Sequence, residues 1–297
     1  GLNVASLIDI RRRLKSVRNM RQITRAMKMV SAARLRRAQD RAIAARPYAK
    51  ALREVLASVS SRVKEAKHPL LGTREERQIA LLVVEGDKGL AGAFNANVNR
   101  GVASLLAEKK EWESVVVMPI GKKAFDYWKR RTTPLAPKSY PGIFARVEYA
   151  QAKEIADWLT AEFVEGRIDA AYVVFNEFRS VISQIVRRER LLPISRSEAS
   201  LTEAAAFRAP PTDYVYEPDP ATILAKLLPR HLEFSIFRIL LESAAAEHGA
   251  RMTAMDSATR NAGDMIDSLT LTYNRARQAR ITKELIEIVS GAAAQNE

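Results

Sequence analysis

Apolar residues in the first part of the chain recur at steps of three and four. They fall at Leu7, Ile10, Leu14 and Val17 and, after a local skip, at Ile23, Met27 and Val30. That spacing lines one narrow face of an α-helix. Glycine is absent from Ser6 to about Val63 and Pro47 is the only proline there, while Ser6 and Asp9 stand where a helix would be capped. About 50 residues at 1.5 Å each predict a rod of roughly 75 Å. No single core wraps such a helix, so it must leave the body of the protein or pair with another helix.

The pattern breaks at "KHPLLGTREER", Lys67 to Arg77. Short apolar runs then alternate with helical stretches. "QIALLVV" leads through the turn "EGDKGLAGAFN" to "ANVNRGVASLLAEKK", and "SVVVMPIG" leads to "KKAFDYWKRR". After a proline-rich loop, "AQAKEIADWLTAEFVEG" is helical, and "DAAYVVFNEF" and "SVISQIVRRERLLPI" read as adjacent strands, the second alternating. Strands interleaved with helices of this size predict a small Rossmann-like α/β domain with a largely parallel sheet.

Asp219-Pro220 reads as an N-cap with proline at the first helical position. From there helical periodicity runs to about Ser290, with Pro229 expected to kink it and Gly249 and Gly263 lowering its propensity. The seam predicted in its second half is Met255, Ala258, Ala262, Met265, Leu269, Thr272, Ala276 and Ala279. The expected fold is therefore α/β: a long antiparallel coiled coil of the terminal helices with an inserted α/β domain. Its expected parts are residues 1–66 (coiled-coil helix), 67–212 (α/β domain with linker) and 213–297 (coiled-coil helix).

Charge adds a partner to this picture. Residues 1–60 hold fifteen basic against three acidic side chains, a net +12 of the chain's +14. An acidic protein surface or a nucleic acid would each complement such a segment. The absence of cysteine excludes disulfides, thiolate metal sites and cysteine catalysis within the chain. The start has no apolar core of signal-peptide length, and no run approaches a membrane span, so the expectation is a chain on the cytoplasmic side unless a targeting segment was removed.

Candidate chemistry is sparse. "GDKGLAG" follows a strand but fits neither the dinucleotide nor the P-loop pattern, and a tight strand-to-helix turn is the expected reading. His68, His231 and His248 lack metal-ligand spacing, and no Ser-His-Asp arrangement is visible. Glu284 and Glu287 share a helix face without a pocket to tune them. No catalytic residue, cofactor or metal is expected.

Two terminal stretches carry a family resemblance. They are "IRRRLKSVRNMRQITRAMKMVSAARLRRAQDRAIAARPYA" and "RMTAMDSATRNAGDMIDSLTLTYNRARQARITKELIEIVSGAAA". With "GDKGLAGAFN" and "YVYEPDP" between them, the chain resembles the γ subunit of F-type ATP synthase over essentially its whole length. The resemblance implies a rotor shaft inside a hexamer of α and β subunits, with ε and the membrane c-ring at its lower end. It implies one copy per complex, no nucleic acid, and a peripheral place on the cytoplasmic face of a bacterial plasma membrane. It also implies roles: Met27, Lys88 and Arg251 near an acidic β loop, Arg277 and Gln278 as a catch on β, and Thr282, Glu284 and Glu287 in coupling. Tyr214, Val215, Tyr216 and Glu217 would lie near the c-ring. Lys88 stands where the family usually has arginine and Ala91 where cysteine is common, and a lysine lacks the bidentate pairing an arginine makes.

Overall fold

The computed structural model describes residues 7–62, 68–194 and 219–294. In chain order these form α1 (Leu7–Arg62), β1 (Gln78–Val84), α2 (Phe94–Glu108), β2 (Ser114–Ile120), α3 (Lys122–Trp128), α4 (Tyr149–Val164), β3 (Ala170–Ser180), β4 (Ser183–Leu192) and α5 (Pro220–Ala294). α5 starts where the sequence predicts: the Asp219 carboxylate accepts the Thr222 amide at 2.9 Å, and Pro220 supplies the first turn without needing a donor. Pro47 and Pro229 both lie inside their helices.

The residues group into two compact units, Gly1–Val30 with Met252–Glu297, and Ser31–Arg251. Each long helix contributes to both. In the first unit the N-terminal part of α1 packs on the C-terminal part of α5. Leu14 and Val17 cluster with Ala262 and Ile266, and Leu269 and Tyr273 close over them. Further along α1, Thr24 meets Thr259 and Lys28 meets Asp256. Rising numbers on one helix match falling numbers on the other, so the pair is antiparallel.

This seam is not quite the predicted one. Ile10, Leu14 and Val17 are buried, but the row continues through Thr24, whereas Ile23 is 60% and Val30 52% exposed. On α5, Met255 and Ala262 are buried as expected, yet Ile266 rather than Met265 turns inward, and half-buried Tyr273 replaces exposed Thr272. The cause is polar pairing. The Thr259 hydroxyl donates to that of Thr24 at 2.8 Å, and Lys28 meets the Asp256 carboxylate at 2.5 Å. Polar side chains can occupy a seam when each meets a partner across it. Once they do, the neighbouring apolar row is turned outward.

The second unit holds the α/β domain and the remainder of both long helices. The sheet order is β2-β1-β3-β4; β1 runs parallel to β2 and β3, and β4 closes an antiparallel hairpin with β3. β1 is buried along six of its seven residues, as expected of a strand covered on both faces. One core joins Leu81 and Val83 of β1, Val98 and Val102 of α2, Val117 of β2, Trp128 of α3 and Val174 of β3. α5 packs onto this body through Ala246 and Ala250, which meet Ala91, Phe94 and Phe178. Within the unit α1 and α5 are also antiparallel: Arg34 acts electrostatically on His248, and Tyr48 stacks at 5.3 Å on Phe234.

Candidate functional site

The surfaces of the first unit follow from its shifted seam. With Thr24 and Lys28 turned toward α5, the side chains of Met20, Ile23, Met29 and Val30 stand more than half exposed on α1. Met27 is half-buried beside them. Arg11, Arg12, Arg13, Arg18, Arg21 and Arg25 are exposed on the same helix segment. α1 thus presents apolar and cationic side chains together, a surface suited to a partner that is both greasy and acidic.

Beyond half-buried Ala276, every residue of α5 from Arg277 to Gly291 is exposed. Arg277, Gln278 and Thr282 all point to solvent. Glu284 and Glu287 do so too, but each is tied along its own helix. Arg280 Nε donates to Glu284 at 2.7 Å, and Lys283 lies 3.6 Å from Glu287. Arg275 and Arg277 make no ion pair among the described residues. Ile281, Leu285, Ile286, Ile288 and Val289 stand 48–68% exposed between these charges. A helix that exposes so much apolar area within charged turns is built to be covered.

Arg251 lies within the second unit, at the point where α5 meets the turn after β1. It is only 6% exposed, and its guanidinium is spent internally. Nε donates to the Gly89 carbonyl at 3.2 Å, and Nη2 donates to the Lys88 carbonyl at 3.1 Å and to Glu247 Oε1 at 2.5 Å. Nη1 sits 3.4 Å from His248 Nδ1. The side chain therefore ties α5 to the turn after β1. Lys88 offers its carbonyl to this clamp and leaves its ammonium exposed. Burial raises the Glu247 carboxyl above the usual range even with the guanidinium attached, and burial first and Arg251 second push His248 down to about 4.

"GDKGLAG" is the tight strand-to-helix turn expected of it, and sequence reasoning missed what locks it. The Asp87 carboxylate accepts three backbone amides, from Lys122 at 2.8 Å, Gly142 at 2.7 Å and Phe144 at 2.9 Å. The Gly86 amide donates to Asn95 at 2.9 Å. A Cβ on Gly86 would lie 2.7 Å from Glu247 Cδ, so glycine is what lets α5 approach. The neighbouring Glu85 is 1% exposed, and burial pushes its carboxyl up to about 7. An acidic residue directly after an apolar run was the only signal for it.

Tyr214, Val215, Tyr216 and Glu217, expected near a membrane ring, lie outside the described residues. Among the described residues no helix is long and apolar enough to cross a membrane, and no cluster of three or more potential metal ligands occurs.

An antiparallel helix pair that displays apolar and charged side chains outward, on a chain that also carries an α/β domain, defines a class of helical protein with surfaces made for partners. The ATP synthase family profile matches residues 6–295. The ATP synthase gamma chains of Solibacter usitatus (strain Ellin6076) and Anaeromyxobacter dehalogenans (strain 2CP-C) are 52% and 48% identical over 293 residues, which cover 97% of this chain and 99% of each relative. Two solved structures share the fold. A chain from the central stalk and c-ring structure of the Tetrahymena thermophila mitochondrial ATP synthase matches with TM-score 0.58 and 24% identity over 80% of this chain and 99% of that one. A chain of the Euglena gracilis mitochondrial enzyme matches with TM-score 0.63 and 18% identity over 98% and 94%. The chain belongs to the ATP synthase gamma-chain family.

Proposed function

We propose that the chain is the central rotor shaft of an F-type ATP synthase. It turns with a proton-driven c-ring and imposes different conformations on the catalytic β subunits in sequence, contributing no catalytic group itself. The supporting observation is the exposed end of α5, charged and apolar by turns, on a chain 52% identical to a gamma chain along 97% of its length.

The physics of such coupling is differential contact. A shaft changes a catalytic site only if one orientation binds one site conformation better than another. Arg277 and Gln278 suit the directional part, since charge-assisted hydrogen bonds have defined geometry. Ile286, Ile288 and Val289 suit the bearing, since apolar contact has no preferred direction. Met27, with its apolar neighbours on α1, and Lys88, through its exposed ammonium, would meet β. Arg251 would act by holding the Lys88 turn in place. Thr282, Glu284 and Glu287 would face β loops, and Tyr214, Val215, Tyr216 and Glu217 would serve the foot of the shaft near the c-ring, with ε beside it. In this reading one copy serves each complex, peripheral on the cytoplasmic face of the membrane.

The test is reconstitution with the partner subunits in membrane vesicles, using a chain truncated after Ala276. Assembly with ATP hydrolysis but without ATP-driven proton pumping is the expected result; full pumping would overturn the proposal.

A further inference from the structure

The exposed end of α5 is not uniform around the helix. Ile281, Leu285 and Ile288 follow steps of four and three, the spacing of a coiled-coil seam. They stand 48%, 56% and 68% exposed. Immediately before each of them in the chain come Arg280, Glu284 and Glu287. With Arg277, these follow steps of three, four and three, so they form one charged edge beside the apolar stripe.

Along that edge the signs read plus, plus, minus, minus. Turned end for end, the same edge reads minus, minus, plus, plus. A second copy laid antiparallel therefore sets its Glu287 opposite Arg277 and its Glu284 opposite Arg280, and the two-fold symmetry repeats both pairs. Both pairs share one centre, at Thr282. The pairing of Ile281 with Leu285 of the second copy is centred within one residue of it, so charge and apolar stripe ask for the same register. A parallel copy would set like charges side by side.

Nothing within one copy opposes this exchange. Arg280 Nε donates to Glu284 at 2.7 Å and Lys283 lies 3.6 Å from Glu287, but all four side chains are more than half exposed. Pairs so open to water contribute little, and the carboxylates can turn to a second copy at little cost. Arg277 makes no ion pair among the described residues. The stretch is also already helical, as the continuation of α5 from Pro220, so pairing needs no new helix nucleus.

We propose that two copies of the unassembled chain pair through this end of α5 as a short antiparallel coil. The contact covers the apolar stripe until partner subunits replace the second copy. It uses the surface assigned above to β, so pairing and assembly exclude each other; the inference goes beyond the shaft reading and does not depend on it. A seam of roughly 20 Å is short, which puts the expected dissociation constant on the order of 10 µM.

The experiment is sedimentation equilibrium of the full chain, free of other subunits, from about 1 to 200 µM. A monomer–dimer equilibrium is expected, weakening several-fold as salt rises from about 0.1 to 1 M. Leu285→Ser is expected to weaken it about tenfold or more. The same loss is expected of Arg277→Glu with Arg280→Glu, whose edge is all acidic, and of Glu284→Arg with Glu287→Arg, whose edge is all basic. Mixed in equal amounts, these two double variants should form a heterodimer at least as tight as the parent dimer. All five positions are exposed, so none of the substitutions opens the core. A monomer throughout, a larger assembly, a dimer indifferent to Leu285→Ser, or no heterodimer would each overturn the proposal. Because no α, β or c subunit is present, any of these results would leave the shaft reading standing, and a failure of the truncation test would leave the dimer standing.

Discussion

Arg251 Nη2 lies 2.5 Å from Glu247 Oε1, one helical turn back on α5, with the two side chains 7% and 3% exposed. This pair sits where the helix meets the turn after β1, because the same guanidinium also reaches the carbonyls of Lys88 and Gly89. A charge at that depth is tolerated only while it is matched.

Removing the guanidinium alone should therefore be costly. Arg251→Ala leaves Glu247 buried and unpaired, and a loss of about 3–5 kcal/mol in unfolding free energy is expected. Replacing Glu247 with glutamine as well should restore part of that loss. Chemical denaturation of the two variants decides the matter; an Arg251→Ala chain as stable as the parent would mean the clamp is not structural.

The observed seam separates neighbouring residues on α5. Ile266→Ala opens a cavity against Leu14 and Val17 and is expected to cost about 2–4 kcal/mol. Met265→Ala, one residue away and 53% exposed, should change stability by less than about 0.5 kcal/mol. Equal effects in thermal unfolding would restore the row predicted from sequence.

Glu85 gives the α/β domain a pH dependence with a definite sign. Its folded pKa of about 7 lies above its ordinary 4.5, so its contribution is fully present below about pH 4.5 and is lost as pH rises to about 7. A shift of that size is on the order of 3 kcal/mol. Asn99 and Lys123 face the carboxyl and both favour its charged form, but burial outweighs them. His248, held down to about 4, works in the other sense: its contribution is present above about pH 6.5 and lost as pH falls toward 4. Glu85→Gln should thus be more stable than the parent at pH 8 and nearly equal to it at pH 4.5. Urea midpoints measured across that range test this.

For the proposed coupling surface, Arg277→Ala should reduce ATP-driven proton pumping several-fold while the complex still assembles, because the side chain is exposed and supports nothing in its own helix. Met27→Lys adds a cation to an already basic face and should lower the ratio of protons pumped to ATP hydrolysed. Pumping assays on purified complexes read both; parental ratios in both variants would argue against the surface.

Much of this was legible in the chain. Helical spacing, the Asp219-Pro220 start, the buried strands of the α/β domain and the terminal motifs of the family depend on local geometry and composition, which a sequence carries directly. The long helices had to pair for the same reason: an apolar face that long cannot remain in water. What the sequence could not decide was which of two adjacent rows would face inward. Ile23 and Val30 satisfy the helical period as well as Thr24 and Ser31 do, and hydrophobicity favours the wrong row. Only the opposite helix, by presenting Thr259 to Thr24 and Asp256 to Lys28, makes the polar row the buried one. Arg251 teaches the same lesson, since nothing in the sequence shows that its guanidinium clamps a turn. The carbonyls of Lys88 and Gly89 and the carboxylate of Glu247 converge on it only after folding, and that long-range convergence is what the tertiary structure decided.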